Sequence, residues 1–188
     1  MKRALLILAP GFEEVEAITP IDLLRRAGIE VFVAALDERM VAGAHDLSVR
    51  ADGLLKDVLG LDLQSPLNFD ALVLPGGSPG AQNLAQSELV TRWIEGFLTS
   101  KKWVCALCAS PALVLGAKGF LKGHDFTCYP DMEDLVTQGS WKSDPVVVSE
   151  PFITSRGLGT SALFSLEIIS QLVGASVAHT VAQKTLLE

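Results

Sequence analysis

The sequence predicts an α/β fold: a doubly wound, mostly parallel sheet with helices on both faces, in one domain over residues 1–188. Three observations predict it. Hydrophobic residues make up 49% of the chain, which favours strands buried on both faces. Arg3–Ala9 is a continuous apolar run of strand length, stopped by Pro10-Gly11. A helical pattern and a second strand follow by Leu36, the order of a parallel pair joined by a crossover helix.

The remaining elements follow the same logic. Glu13–Ala27 reads as the first helix, with Val15, Ile18, Leu23 and Leu24 apolar and acids in its first turn, where the helix dipole favours them. Pro20 is expected to kink it. Gly28 ends it, and Glu30–Leu36 is the second strand. Between Met40 and Leu55 short apolar pieces are broken by Gly43 and Gly53, which suggests small antiparallel strands. Leu61–Asp70 reads as loop and Ala71–Leu74 as a buried strand ending at Pro75-Gly76-Gly77. Helices over Ala81–Gln86 and Glu88–Ser100 precede a strand at Trp103–Leu107, and a helix is expected from Ser110 to about Gly116. Asp125–Tyr129 and Val146–Thr154 carry strand signals, Thr160–Val173 is a strong helical pattern, and Ser176–Leu186 is helical or frayed.

Composition narrows the function. A net charge of −7 supplies no basic patch for phosphates or anionic lipid, so neither nucleic acid nor membrane is an expected partner. No apolar run approaches the roughly 18 residues that span a bilayer. Met1-Lys2-Arg3 followed by Ala4–Ala9 superficially resembles a signal peptide, but acids at Glu13, Glu14 and Glu16 follow too soon and no small-residue cleavage site appears. The segment reads as the first strand of a cytoplasmic protein. Cys105, Cys108 and Cys128 are too few for a disulfide framework. His45, His124 and His179 are scattered along the chain, so no metal site is expected.

In such a fold ligands meet the C-terminal ends of the parallel strands. Cys108 stands there, in Ala106-Leu107-Cys108-Ala109-Ser110-Pro111, between an apolar strand and a helix. A nucleophile on so tight a turn needs small residues two places to either side, and Ala106 and Ser110 meet that need. Helix amides would favour a thiolate. A buried cysteine packing as a small hydrophobe fits the same pattern. Cys105-x-x-Cys108 as a redox dithiol is a third reading, weakened because Cys105 falls inside the apolar strand.

Glu16 has apolar neighbours in Val15, Ala17 and Ile18, so it is expected to point inward while Glu13 and Glu14 face water; a solvated helix face is the alternative. A carboxyl carried inward keeps its proton and can hydrogen-bond a thiolate. Pro75-Gly76-Gly77 offers free amides for an oxyanion, or is an ordinary turn.

Several segments together resemble the DJ-1/ThiJ/PfpI superfamily, specifically its short DJ-1-like branch. They are Ala9-Pro10-Gly11-Phe12-Glu13-Glu14-Val15-Glu16, Asp22 to Gly28, Leu74-Pro75-Gly76-Gly77, Gly80-Ala81-Gln82-Asn83-Leu84, Cys108-Ala109-Ser110-Pro111 and Thr154-Ser155-Arg156-Gly157. The resemblance implies a flavodoxin-like fold and a homodimer with the first helix near the interface. It implies Cys108 as nucleophile, Glu16 as the acid, Gly77 and Ala109 as oxyanion amides, and Arg50 as an arginine reaching the partner's site. Many animal members carry a histidine where this chain has Tyr129, and proline is frequent where it has Leu158.

The function the resemblance implies is a cofactor-independent glyoxalase or protein deglycase acting on α-oxoaldehydes such as methylglyoxal, or on their adducts. Its alternative is a non-enzymatic oxidative-stress sensor or redox-regulated chaperone using Cys108 oxidation. The small-molecule partner is accordingly a carbonyl substrate or an oxidant. Lowering the thiol pKa from about 8.5 to about 5.5 would raise the thiolate fraction roughly thirty-fold. The accompanying loss of intrinsic nucleophilicity is roughly twenty-fold. An efficient enzyme therefore needs acid–base help, which with Tyr129 in place of histidine falls to Glu16 or water.

Overall fold

Strands buried on both faces need apolar side chains on both, and β1 (Arg3–Leu8) provides them. Leu5 and Ile7 enter one core and Leu6 and Leu8 the other. The computed structural model describes residues 1–58 and 68–187. After β1 come α1 (Glu14–Arg26), β2 (Glu30–Ala35), β3 (Met40–Ala42), β4 (Ser48–Arg50) and β5 (Gly53–Leu54). Then follow β6 (Ala71–Leu74), α2 (Ser78–Gln86), α3 (Glu88–Thr99) and β7 (Trp103–Leu107). Short β8 (Asp125–Phe126) and β9 (Ser140–Trp141) precede β10 (Val146–Ser149), β11 (Phe152–Ser155), α4 (Ser161–Val173) and α5 (Ala175–Thr185).

Among the described residues the main sheet has seven strands in the order β10-β11-β7-β6-β1-β2-β5. All its pairings are parallel except β10 with β11. Trp93, Ile94 and Phe97 of α3 fill one core with Leu72 and Leu74. Ala17 and Leu24 of α1 and Phe164 and Ile168 of α4 fill the other with Val73 and Leu107. The α/β expectation, doubly wound with helices on both faces, therefore holds. The chain leaves β1 toward β2 on one side and toward β6 on the other, so the topological switch point lies between the ends of β1 and β6.

Several local expectations change. Val146–Thr154 is two antiparallel strands, reversing at Glu150-Pro151. The strand expected over Asp125–Tyr129 stops at Phe126. Pro111–Gly116 winds as a π-helical turn, with Ala117 N–H donating to Ala112 O. β5 joins the main sheet in parallel, whereas β3 and β4 form a separate antiparallel hairpin. The helix containing Pro20 continues through it. The expected loop Leu61–Asp70 lies largely outside the described residues. No described helix is long and apolar enough to cross a membrane.

Phe164 is fully buried between α4 and the sheet. Phe164→Ala should lower unfolding stability by about 3–5 kcal/mol in a denaturant titration. A loss below about 1 kcal/mol would mean that α4 does not seal this core.

Candidate active site

β7 ends at Leu107, and the chain then has to reverse into Pro111–Gly116. It does so at Cys108, whose φ of 62° is in the left-handed region that non-glycine residues rarely enter. Three hydrogen bonds hold the turn. Cys108 N–H donates to Ser155 O at 2.9 Å, Tyr129 N–H donates to Cys108 O at 2.8 Å, and buried Ser110 donates its hydroxyl to Pro75 O at 2.6 Å. Ser110, chosen from sequence for its small size, thus also fastens the turn to the loop after β6.

That loop passes directly over the sulfur. A Cβ at Gly76 would stand 2.5 Å from the Cys108 Cβ and 3.0 Å from Sγ, so only glycine lets the backbone come this close. Gly77 takes φ of +83°. The amides of Gly77 and Ala109, which the resemblance implied as oxyanion donors, both hydrogen-bond the Cys108 sulfur.

Glu16, on the first turn of α1, is 1% exposed. Its Oε2 accepts from Gly76 N–H at 2.9 Å, and its carboxyl hydrogen-bonds Cys108. Burial pushes the Glu16 carboxyl up to about 7, against the pull of its hydrogen bonds with Cys108 and Gly76; the charge of Glu13 adds to the rise. The inward orientation is as expected, yet the reason given for it is not: Val15 and Ile18 are 44% and 40% exposed. The expectation that Glu13 and Glu14 face water also fails, because Glu14 is buried beneath the β3–β4 hairpin and Glu13 is half-buried. Spacing within one helix could not show a cover that arrives about thirty residues later.

The low-pKa thiolate expected from helix amides needs a correction. Burial pushes the Cys108 thiol up to about 12, and the carboxylate of Glu16 adds to the rise; the amides of Gly77 and Ala109 offset only part of it. Two anions in contact in a dry site are unfavourable, so the pair holds one proton between them above neutrality. Cys105 is fully buried in the strand and Cys128 is buried too; burial raises both thiols. All three cysteines are free, and Cys105 lies within β7, as the reading against a dithiol expected.

Tyr129 is 52% exposed, and its ring edge lies 3.6 Å from where a Cβ on Gly157 would stand. The same position is 3.7 Å from Glu16 Oε1 and 3.8 Å from Cys108 Sγ, so Gly157, part of a segment that carries the resemblance, lies beside both. Leu158 follows it, half exposed. His124 packs edge-on against Phe152, at the far end of β11 from Ser155. Arg50 is exposed on β4, opposite Met40, and is not among the charges that shift Cys108 or Glu16. His45, scattered in sequence, meets Glu13 and Glu14 in space, their donor atoms within 4.8 Å of one another.

With a buried carboxyl raised from 4.5 to about 7, the folded state binds a proton more tightly than the unfolded chain. Stability tied to that proton is full below about 4.5 and falls until the pH passes about 7. Glu16→Gln should therefore gain stability over the wild type at pH 8, on the order of 3 kcal/mol, and gain little at low pH. Chemical denaturation at both pH values checks it, and a gain independent of pH would show that Glu16 is not held neutral.

Comparison with known proteins places this geometry. The model of the DJ-1/PfpI family matches residues 2–171. The zebrafish (Danio rerio) Parkinson disease protein 7 homolog is 38% identical over 191 residues, spanning 100% of this chain and 98% of its own. The glutathione-independent glyoxalase DJR-1.2 of Caenorhabditis elegans is 34% identical, spanning 92% of this chain and 90% of its own. Among solved structures, a DJ-1 superfamily protein from Salmonella typhimurium superposes with a TM-score of 0.92 at 36% identity, covering 99% of this chain and 98% of its own. DJ-1beta of Drosophila melanogaster does so with a TM-score of 0.91 at 37% identity, covering 98% and 97%.

Proposed function

This chain belongs to the DJ-1/PfpI family, and from that premise we propose that it is a cofactor-independent glyoxalase converting α-oxoaldehydes such as methylglyoxal to 2-hydroxy acids. The observation that carries the reading is the contact between Cys108 and a buried carboxyl whose pKa is about 7. A base poised at the working pH transfers protons best. A thiol of high pKa, once relieved of its proton, is the stronger nucleophile.

The chemistry balances with these groups alone. Glu16 takes the thiol proton as sulfur adds to the aldehyde carbon, then returns it to the carbonyl oxygen, giving a hemithioacetal. The carboxylate next removes the hydrogen on that carbon, and the enediol is reprotonated at the neighbouring carbon. The first carbon is thereby oxidised and the second reduced, leaving a thioester. Water hydrolyses it to the 2-hydroxy acid and restores the thiol. The amides of Gly77 and Ala109 meet negative charge as it passes from sulfur to the adjoining oxygen. In the deglycase reaction the sulfur would displace the protein nitrogen from the hemiaminal carbon of an adduct, the nitrogen leaving with the thiol proton carried by Glu16, and the same hemithioacetal would follow. Glyoxalase in the printed name of the C. elegans relative supports the reading.

Purified protein should form lactate from methylglyoxal. Cys108→Ser should abolish this, and Glu16→Ala should slow it by about a hundredfold or more. Tyr129→Phe should cost no more than about fivefold, the worth of one hydrogen bond. Loss of turnover in Tyr129→Phe with unchanged iodoacetamide reactivity would reassign the proton-transfer group. The second reading is the redox sensor or redox-regulated chaperone: two amides and a protonated carboxyl around one sulfur are suited to hold sulfinate oxygens. Readily oxidised Cys108 without any lactate would select it.

A homodimer through α1 is part of the proposal. Exposed Val15 and Ile18 on its outer face support it. Light scattering should give twice the 20.0 kDa of one chain; a monomer would remove this interface, and with it any reach of Arg50 into a partner's site.

A further inference from the structure

The β3–β4 hairpin takes no part in the proposed chemistry, yet it is fastened to the segment that carries Glu16. Glu14, the first residue of α1, is only 7% exposed. Its Oε1 accepts from His45 N–H at 2.7 Å and Leu47 N–H at 3.4 Å, and its Oε2 lies 3.1 Å from His45 Nδ1. Burial raises this carboxyl, but the hydrogen bonds from His45, its own amide and Leu47 together outweigh it and leave the group below the ordinary carboxylate value. Gly43 makes the room, since a Cβ there would run into the Glu14 carboxylate.

Backbone bonds continue the attachment. Gly11 N–H donates to Ala42 O at 2.8 Å, Ala44 N–H donates to Phe12 O at 2.8 Å, and Phe12 bridges Gly43. On the opposite side Glu13 N–H donates to Gly76 O at 3.0 Å, while Gly76 N–H donates to Glu16 Oε2 at 2.9 Å. Residues 11–16 are thus clamped between the hairpin and the glycine loop; Glu14 ties the hairpin tip to the turn holding Glu16 through both backbone and ring of His45, while Glu13 reaches only the ring, at 3.6 Å.

We propose that Glu14 is a positioning residue for Glu16: by anchoring the hairpin to the first turn of α1 it fixes where the Glu16 carboxyl stands against Gly76 and Cys108. The proposal rests on the reading of Glu16 and Cys108 as one acid–base pair, and not on turnover. A buried anion is retained only where donors compensate its lost hydration, and here those donors belong to the hairpin backbone.

The test is the pH midpoint of Cys108 alkylation by iodoacetamide, followed by peptide mass mapping. Glu14→Ala should move the midpoint at least half of the way toward that of Glu16→Gln. Glu14→Gln, which keeps an acceptor for both amides, should stay nearer the wild type. Gly43→Ala, which drives a methyl group into the carboxylate, should shift the midpoint in the same direction as Glu14→Ala. In a Glu16→Gln background, Glu14→Ala should add nothing, because it acts through Glu16. An unmoved midpoint in Glu14→Ala and Gly43→Ala, or an equal shift in the Glu16→Gln background, overturns the proposal. Absence of lactate from the wild type would remove the glyoxalase reading without touching this result.

Discussion

A buried carboxyl cannot stay charged without partners, and Glu16 has two: the Gly76 amide and the Cys108 thiol. Because the acid is dry, its pKa rises into the range where it can trade a proton with a neighbour at neutrality. Because the sulfur is only partly open to water and faces a carboxylate, its own proton is held more firmly than helix amides alone would allow. The two groups therefore titrate as a coupled pair.

The fold supplies the contact from three separate segments. The switch point between β1 and β6 brings the Pro10–Glu16 segment and the glycine loop together, and β7 delivers Cys108 from the adjacent strand. Two local costs make the approach close enough. Cys108 occupies a left-handed backbone conformation, held by hydrogen bonds to Ser155 and from Tyr129. Gly76 gives up its side chain, because any Cβ would collide with both Cys108 and Glu16.

The sheet was legible in the sequence because strands buried on both faces read as continuous apolar runs, as at β1, β6 and β7. That same continuity hid the reversal inside Val146–Thr154, where both strands are apolar and only Glu150-Pro151 separates them. The tight turn at Cys108 was legible from its small neighbours, whereas its role, like those of Gly77 and Ala109, came only from the family resemblance; both amides meet the sulfur. Glu14 was not legible. Its burial depends on a hairpin brought back by long-range pairing, and Gly43, the residue that admits it, reads in sequence as an ordinary strand break. The raised thiol was missed for a related reason: an amide-rich helix start and a protonated Glu16 both favour a thiolate, whereas the burial that chiefly raises the thiol depends on tertiary packing.

The central claim is that Glu16 keeps its proton to near neutrality beside Cys108. Difference infrared spectroscopy across pH, with Glu16→Gln as the subtracted reference, observes that proton directly. The account predicts a protonated-carboxyl band assigned to Glu16 that persists through mildly acidic pH and is lost with a midpoint of about 7. A carboxylate band already fully formed at the ordinary glutamate value would contradict it.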